Sequence, residues 1–117
     1  MSLRNERVRK ALMREISDVL RTEIKDPHIS GIVSITDVDV SSDNSAARVF
    51  YSVFGDEKTK EQTRLALEKD TPRIRHAIGQ RIRLRHTPSL LFILDESLER
   101  GAKITELIDK ISRGEIK

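Results

Sequence analysis

Residues 32–54 constrain the fold of this chain more than any other stretch. Two β-branched runs, "IVSITDVDV" (32–40) and "AARVFYSVF" (46–54), flank "SSDNS" at 41–45. β-Branched and aromatic side chains suit a pleated surface, while serine, aspartate and asparagine suit a turn. The pattern predicts an antiparallel hairpin. Its second run alternates cleanly, with Val49, Tyr51 and Val53 on one face and Phe50 and Phe54 on the other. The first run does not alternate. Val33 and Ile35 occupy odd positions, whereas Val38 and Val40 occupy even ones. A strict period of two cannot turn all four to one side, so a β-bulge is expected near Thr36–Asp37.

A lone hairpin cannot bury its apolar face, so flanking segments must cover it. Residues 4–24 supply an amphipathic helix through Val8, Ala11, Leu12, Ile16, Val19, Leu20 and Ile24, spaced three and four apart. Ser2 suits its cap, and Pro27 ends it by disfavouring helical geometry at Asp26. Gly55 and Asp56 break the second strand, and residues 57–69 form a helix with Ala66 and Leu67 inward. Asp70, Thr71 and Pro72 read as a kink, with Thr71 as an N-cap and Pro72 as the first residue of a further helix. That helix turns Ile74, Ala77, Ile78 and Ile82 to one side. Gly79 inside it suggests close approach of another backbone. After Pro88, "SLLFIL" (89–94) reads as a buried strand. Residues 102–112 form a short C-terminal helix through Ile104, Leu107, Ile108 and Ile111. The order is α-β-β-α-α-β plus that helix. It is an α+β architecture, with helices packed on one face of a three-stranded sheet.

At 117 residues the chain is expected to be one domain (1–117), with its core in about 4–112 and a loose end at 113–117. There are no cysteines, which excludes disulfides, thiolate metal sites and a cysteine nucleophile. No apolar run is long enough to span a bilayer. A phosphate-binding glycine loop, a dinucleotide-binding glycine turn and a serine nucleophile elbow are all missing from the sequence. Asp37 and Asp39 could share a metal ion in the manner of a nuclease, but no third acid or histidine completes the set. His28, His76 and His86 share no ligand spacing. The sequence therefore gives no support for a catalytic centre, a metal or a cofactor.

The charge distribution is more telling. The net charge of +3 is uneven: residues 26–68 hold four Lys/Arg against eight Asp/Glu, whereas residues 69–86 hold six against one. The block comprises Arg73, Arg75, Arg81, Arg83 and Arg85, with His76 and His86 among them. Read as one helix, it puts Arg73, Arg75 and Arg83 beside or opposite the apolar stripe. Arg81 and Arg85 then fall within the stripe, where the helix end leaves the core. Arginine forks match phosphate oxygens, and a basic block with little interleaved acid points to an anionic partner. Arg7, Lys10 and Arg14 add charge on the first helix. The four aromatic residues are too few, and too often inward, for base stacking. The expected contacts are phosphates and sugars of a folded RNA. The alternative is a module that grips an acidic protein.

The element order is that of a type II KH domain, yet no G-x-x-G occurs. Three segments resemble the bacterial ribosome-binding factor A family: "REISDVLRTEIKDP" (14–27), "VSITDVDVSSDNSAARVFYSVF" (33–54) and "IRHAIGQRIRLRHTPSLLFILDESLERGAKI" (74–104). Within the last, "RLRHTPSLLFILDESLERG" is the most specific. The resemblance implies a KH-like fold with an Ala-x-Gly kink, matched here by Asp70, Thr71 and Pro72, which depart from that pattern. It further implies a cytoplasmic, non-enzymatic factor, without cofactor or membrane attachment and monomeric. Such a factor binds free 30S ribosomal subunits, assists late maturation and processing of 16S rRNA alongside assembly GTPases, and is linked to cold adaptation.

Overall fold

A computed structural model describes residues 3–29 and 32–96. The order is α1 (Leu3–Thr22), β1 (Val33–Val40), β2 (Ala46–Val53), α2 (Glu57–Arg81) and β3 (Ser89–Leu94). β2 is the central strand, antiparallel to β1 and parallel to β3. Parallel neighbours need a crossover, and α2 provides it. The α+β, KH-like class expected from the sequence is the one observed. The proposed cap at Ser2 and the helix at 102–112 lie outside the described residues.

The bulge falls where the pattern of β1 demands it. Ile35 pairs with Tyr51 and Asp37 with Phe50, so Thr36 is the extra residue. The slip lets Val33, Ile35, Val38 and Val40 all reach the core side. The Thr36 hydroxyl donates to Asp95 Oδ2 at 2.7 Å, giving the extra residue a partner just beyond β3. Ala47, Val49, Tyr51 and Val53 of β2 are buried against Leu12, Ile16, Val19 and Leu20 of α1 and Leu67, Ile74 and Ile78 of α2. Both helices thus cover one sheet face. Phe50 is half-buried on the other face, and Phe54, beyond the end of β2, is 96 % exposed. β3 is less buried than its apolar run suggested: Leu90 faces the core, whereas Leu91 is exposed because, like its β2 neighbour Arg48, it points to the sheet face that no helix covers.

The pair of helices expected on either side of Asp70, Thr71 and Pro72 is a single helix of 25 residues with Pro72 inside it. Its N-cap is Asp56, whose side chain accepts from the Thr59 N–H at 2.8 Å. Thr71 caps nothing; its hydroxyl donates to the Leu67 carbonyl one turn back, at 2.6 Å. A proline in a helix interior costs about 3 kcal/mol. Burying Leu67, Ile74 and Ile78, each fully covered, returns about 1.5–3 kcal/mol apiece. Packing wins, and the stripe Thr63, Ala66, Leu67 resumes past the proline with Ile74, Ala77 and Ile78.

Candidate nucleic-acid interface

α2 buries Ile74, Ala77 and Ile78, which leaves Arg73, Arg75 and His76 on its exposed side. The helix ends earlier than the basic block does. Ile82 is extended (φ −115°, ψ 123°), its N–H closing the last turn on the Ile78 carbonyl at 2.9 Å. Arg83 and Arg85 therefore lie in the loop to β3 and not on a helix, contrary to the reading of the block as one helix. Half-buried Ile82 and Leu84 alternate there with exposed Arg83 and Arg85. That period of two is an extended-chain signal already present in "RIRLRH".

The loop is tied to α2 by Arg75. Its Nε donates to the Pro88 carbonyl at 3.0 Å and its Nη2 to the Thr87 carbonyl at 2.7 Å. Gly79 makes room for the same loop: a Cβ at this position would come within 2.8 Å of Thr87 Oγ1. The close neighbour is thus a side chain, not the backbone expected. Between helix and loop lies a shallow cleft of about 600 Å³, to which Arg75, His76, Gln80, His86 and Thr87 contribute. His76 Nε2 and Gln80 Nε2 are 3.2 Å apart. Gln80 and Thr87 were not singled out by the sequence, because a polar uncharged residue carries no pattern of its own.

Arg81 must be separated from the other arginines. Its Nη1 meets Glu15 Oε2 at 3.2 Å and Asp18 Oδ2 at 2.5 Å, and its Nε meets Glu23 Oε2 at 3.0 Å. Hydrogen bonding to Asp18, then Glu23, raises its pKa further above the usual arginine value. In return the Asp18 carboxyl is held below the ordinary carboxylate range, chiefly by Arg81 and then by Arg21. This is a joint between α1 and α2. The charge of Arg81 is answered by carboxylates, which sets it apart from the other arginines of the block.

Arg73, Arg83 and Arg85 have no hydrogen bond or ion pair among the described residues, and Arg75 bonds only to carbonyls. Arg7, Lys10 and Arg14 are exposed on the outer side of α1, opposite Leu12, Ile16 and Val19. Arg14 contacts Glu15 at 3.3 Å. No hydrogen bond or ion pair among the described residues joins this stripe to the loop after α2. Asp37 and Asp39 each face an arginine. Asp37 accepts from Arg9 Nη1 at 3.0 Å and Asp39 is paired with Arg48. Among the described residues, no group of three metal-ligating side chains exists, and no helix is long and apolar enough to cross a membrane.

Fold and surface together define a small KH-like α+β protein with an uncompensated cationic surface at one end of α2. A family model described as Ribosome-binding factor A matches residues 4–108. Ribosome-binding factor A of Halothermothrix orenii is 48 % identical over 112 residues, covering 96 % of this chain and 91 % of that protein. The Gloeobacter violaceus protein of the same name is 49 % identical over 110 residues, covering 92 % and 85 %. Among solved structures, the crystal structure of ribosome-binding factor A from Thermus thermophilus superposes with a TM-score of 0.68 at 24 % identity, covering 77 % of this chain and 94 % of that one. A Thermus thermophilus ribosome binding factor A homology model, fitted into the cryo-EM map of a 30S complex, gives 0.63 at 25 % identity, covering 75 % and 91 %. The chain belongs to the ribosome-binding factor A family.

Proposed function

We propose that this protein is a non-enzymatic assembly factor of the small ribosomal subunit. It binds free 30S particles in the cytoplasm, as a monomer, and assists late maturation and processing of 16S rRNA. The observation that carries this reading is the set of arginines left without acidic partners, Arg73, Arg75, Arg83 and Arg85. Family membership and the 30S complex of the Thermus protein support it. Guanidinium groups with unspent donors suit phosphate oxygens. The arginines and His76 grip rRNA backbone by shape rather than sequence, and the outer stripe of α1 (Arg7, Lys10, Arg14) offers a second contact. The helix segment Asp70–Pro72 holds the place of the family's kink. Occupying immature rRNA would keep it open for folding and would block premature subunit joining. Assembly GTPases supply the energy-consuming step, and cold, which stabilises misfolded RNA, increases the need for such a factor.

Co-sedimentation with 30S subunits, 70S ribosomes and naked 16S rRNA across a salt series tests this. Binding to free 30S but not 70S, weakening steeply with salt, is expected. Binding that survives ribonuclease and ignores salt would instead identify an acidic protein as the partner.

A further inference from the structure

The cleft between α2 and the 82–88 loop has features that go beyond a diffuse basic surface. Arg75 is fixed there by two carbonyls of the loop. A guanidinium has five N–H donors, so three remain for a ligand. Little side-chain freedom is left to lose when one binds. His76 and Gln80 face the cleft from α2, and His86 and Thr87 from the loop; among the described residues no carboxylate lines it. Gly79 lets the loop close on the helix at this level, since any larger residue would press on Thr87. Donors from two elements thus converge on one opening, with the main cation already in position. We propose that this cleft seats one backbone phosphate of the RNA strand, with Arg75 as the fixed cation and Gln80, His76 and His86 as flanking groups. The inference rests on the rRNA-binding reading and deepens it. A phosphate is favoured over a protein carboxylate because its several oxygens can use donors from both walls at once.

Gln80→Glu tests this by adding a carboxylate inside the cleft without changing side-chain shape. Gln62→Glu makes the same charge change on the first half of α2, outside the cleft. Both proteins are checked for unchanged melting, then titrated onto 30S subunits and naked 16S rRNA over a salt series. His86→Glu, in the loop, repeats the test independently of α2. Gln80→Glu and His86→Glu should each weaken binding about tenfold near 0.1 M salt and lower the salt slope by about one unit, as loss of one phosphate contact does. Gln62→Glu should bind within about twofold of the parent. If all three variants bind alike while the parent binds well, the cleft is not a phosphate seat and the wider function stands. If the parent itself binds neither 30S nor rRNA, the functional reading falls and this one with it. If the two cleft variants weaken a contact that persists after ribonuclease digestion, the seat holds a protein carboxylate and the phosphate assignment is overturned.

Discussion

The two halves of α2 are built on the same apolar stripe but treat most of their arginines differently. Before Pro72, Arg64 reaches Glu61 at 3.1 Å and Glu68 at 2.7 Å, and Lys60 lies 3.8 Å from Glu57. After Pro72, Arg73 and Arg75 have no acid one turn away that they bond to, and Arg83 and Arg85 continue that state into the loop. Packing is common to both halves; acidic partners within the helix itself are not. The surface available to an anion is set by which cations lack partners, not by how many there are. Arg81 makes the point within the second half, since its charge is spent on α1.

If packing is common to both halves, truncation on either side of Pro72 should cost alike. Leu67→Ala and Ile78→Ala, both fully buried, are each expected to lose about 2–5 kcal/mol in denaturant unfolding. A loss below about 1 kcal/mol for Ile78→Ala would mean that the second half is held by something other than the core.

The next effect separates Arg81 from its neighbours. Arg81→Met strands Glu15, Asp18 and Glu23 together, so melting should fall, more at low than at high salt. Affinity for 30S should barely change. The sign with pH follows from Asp18, whose carboxyl is depressed in the folded state by Arg81 first. Such a group stabilises fully above the ordinary aspartate value of about 4 and loses that contribution as pH falls through its lowered value. Parent and variant melting curves should therefore converge in acid. A gap that widens below about pH 4 would contradict the joint.

The smallest effect is expected at Gly79. Alanine gains about 0.5–1 kcal/mol of helix preference but must displace the Thr87 hydroxyl, 2.8 Å from the new Cβ. A net change within about 1 kcal/mol by thermal melting is expected. A loss beyond about 2 kcal/mol would show that Thr87 cannot move and that the loop is rigidly seated.

How much of this was legible in the sequence depends on range. The bulge at Thr36, the hairpin and the strand after Pro88 follow from local periodicity, and all three are observed. No break occurs at Pro72 because the local preference of Thr-Pro yields to the apolar stripe on both sides of it, which is a packing effect. Arg83 and Arg85 leave the helix, as the alternation of apolar and charged residues in that stretch implies. The position of Arg81 within the stripe was legible, but its partners were not, because they lie 58 to 66 positions away, where spacing carries no signal. The partners of Arg64, Glu61 and Glu68, by contrast lie three and four residues from it, at spacings that do carry a signal.

The most direct test compares salt slopes for 30S binding by the parent, Arg64→Ala and the triple variant Arg73→Ala/Arg83→Ala/Arg85→Ala, with folding verified by circular dichroism. The triple variant should lose about a hundredfold in affinity near 0.1 M salt and about two to three units of slope, whereas Arg64→Ala should match the parent. Equal slopes for all three proteins would contradict the claim that the arginines without acidic partners form the RNA-facing surface.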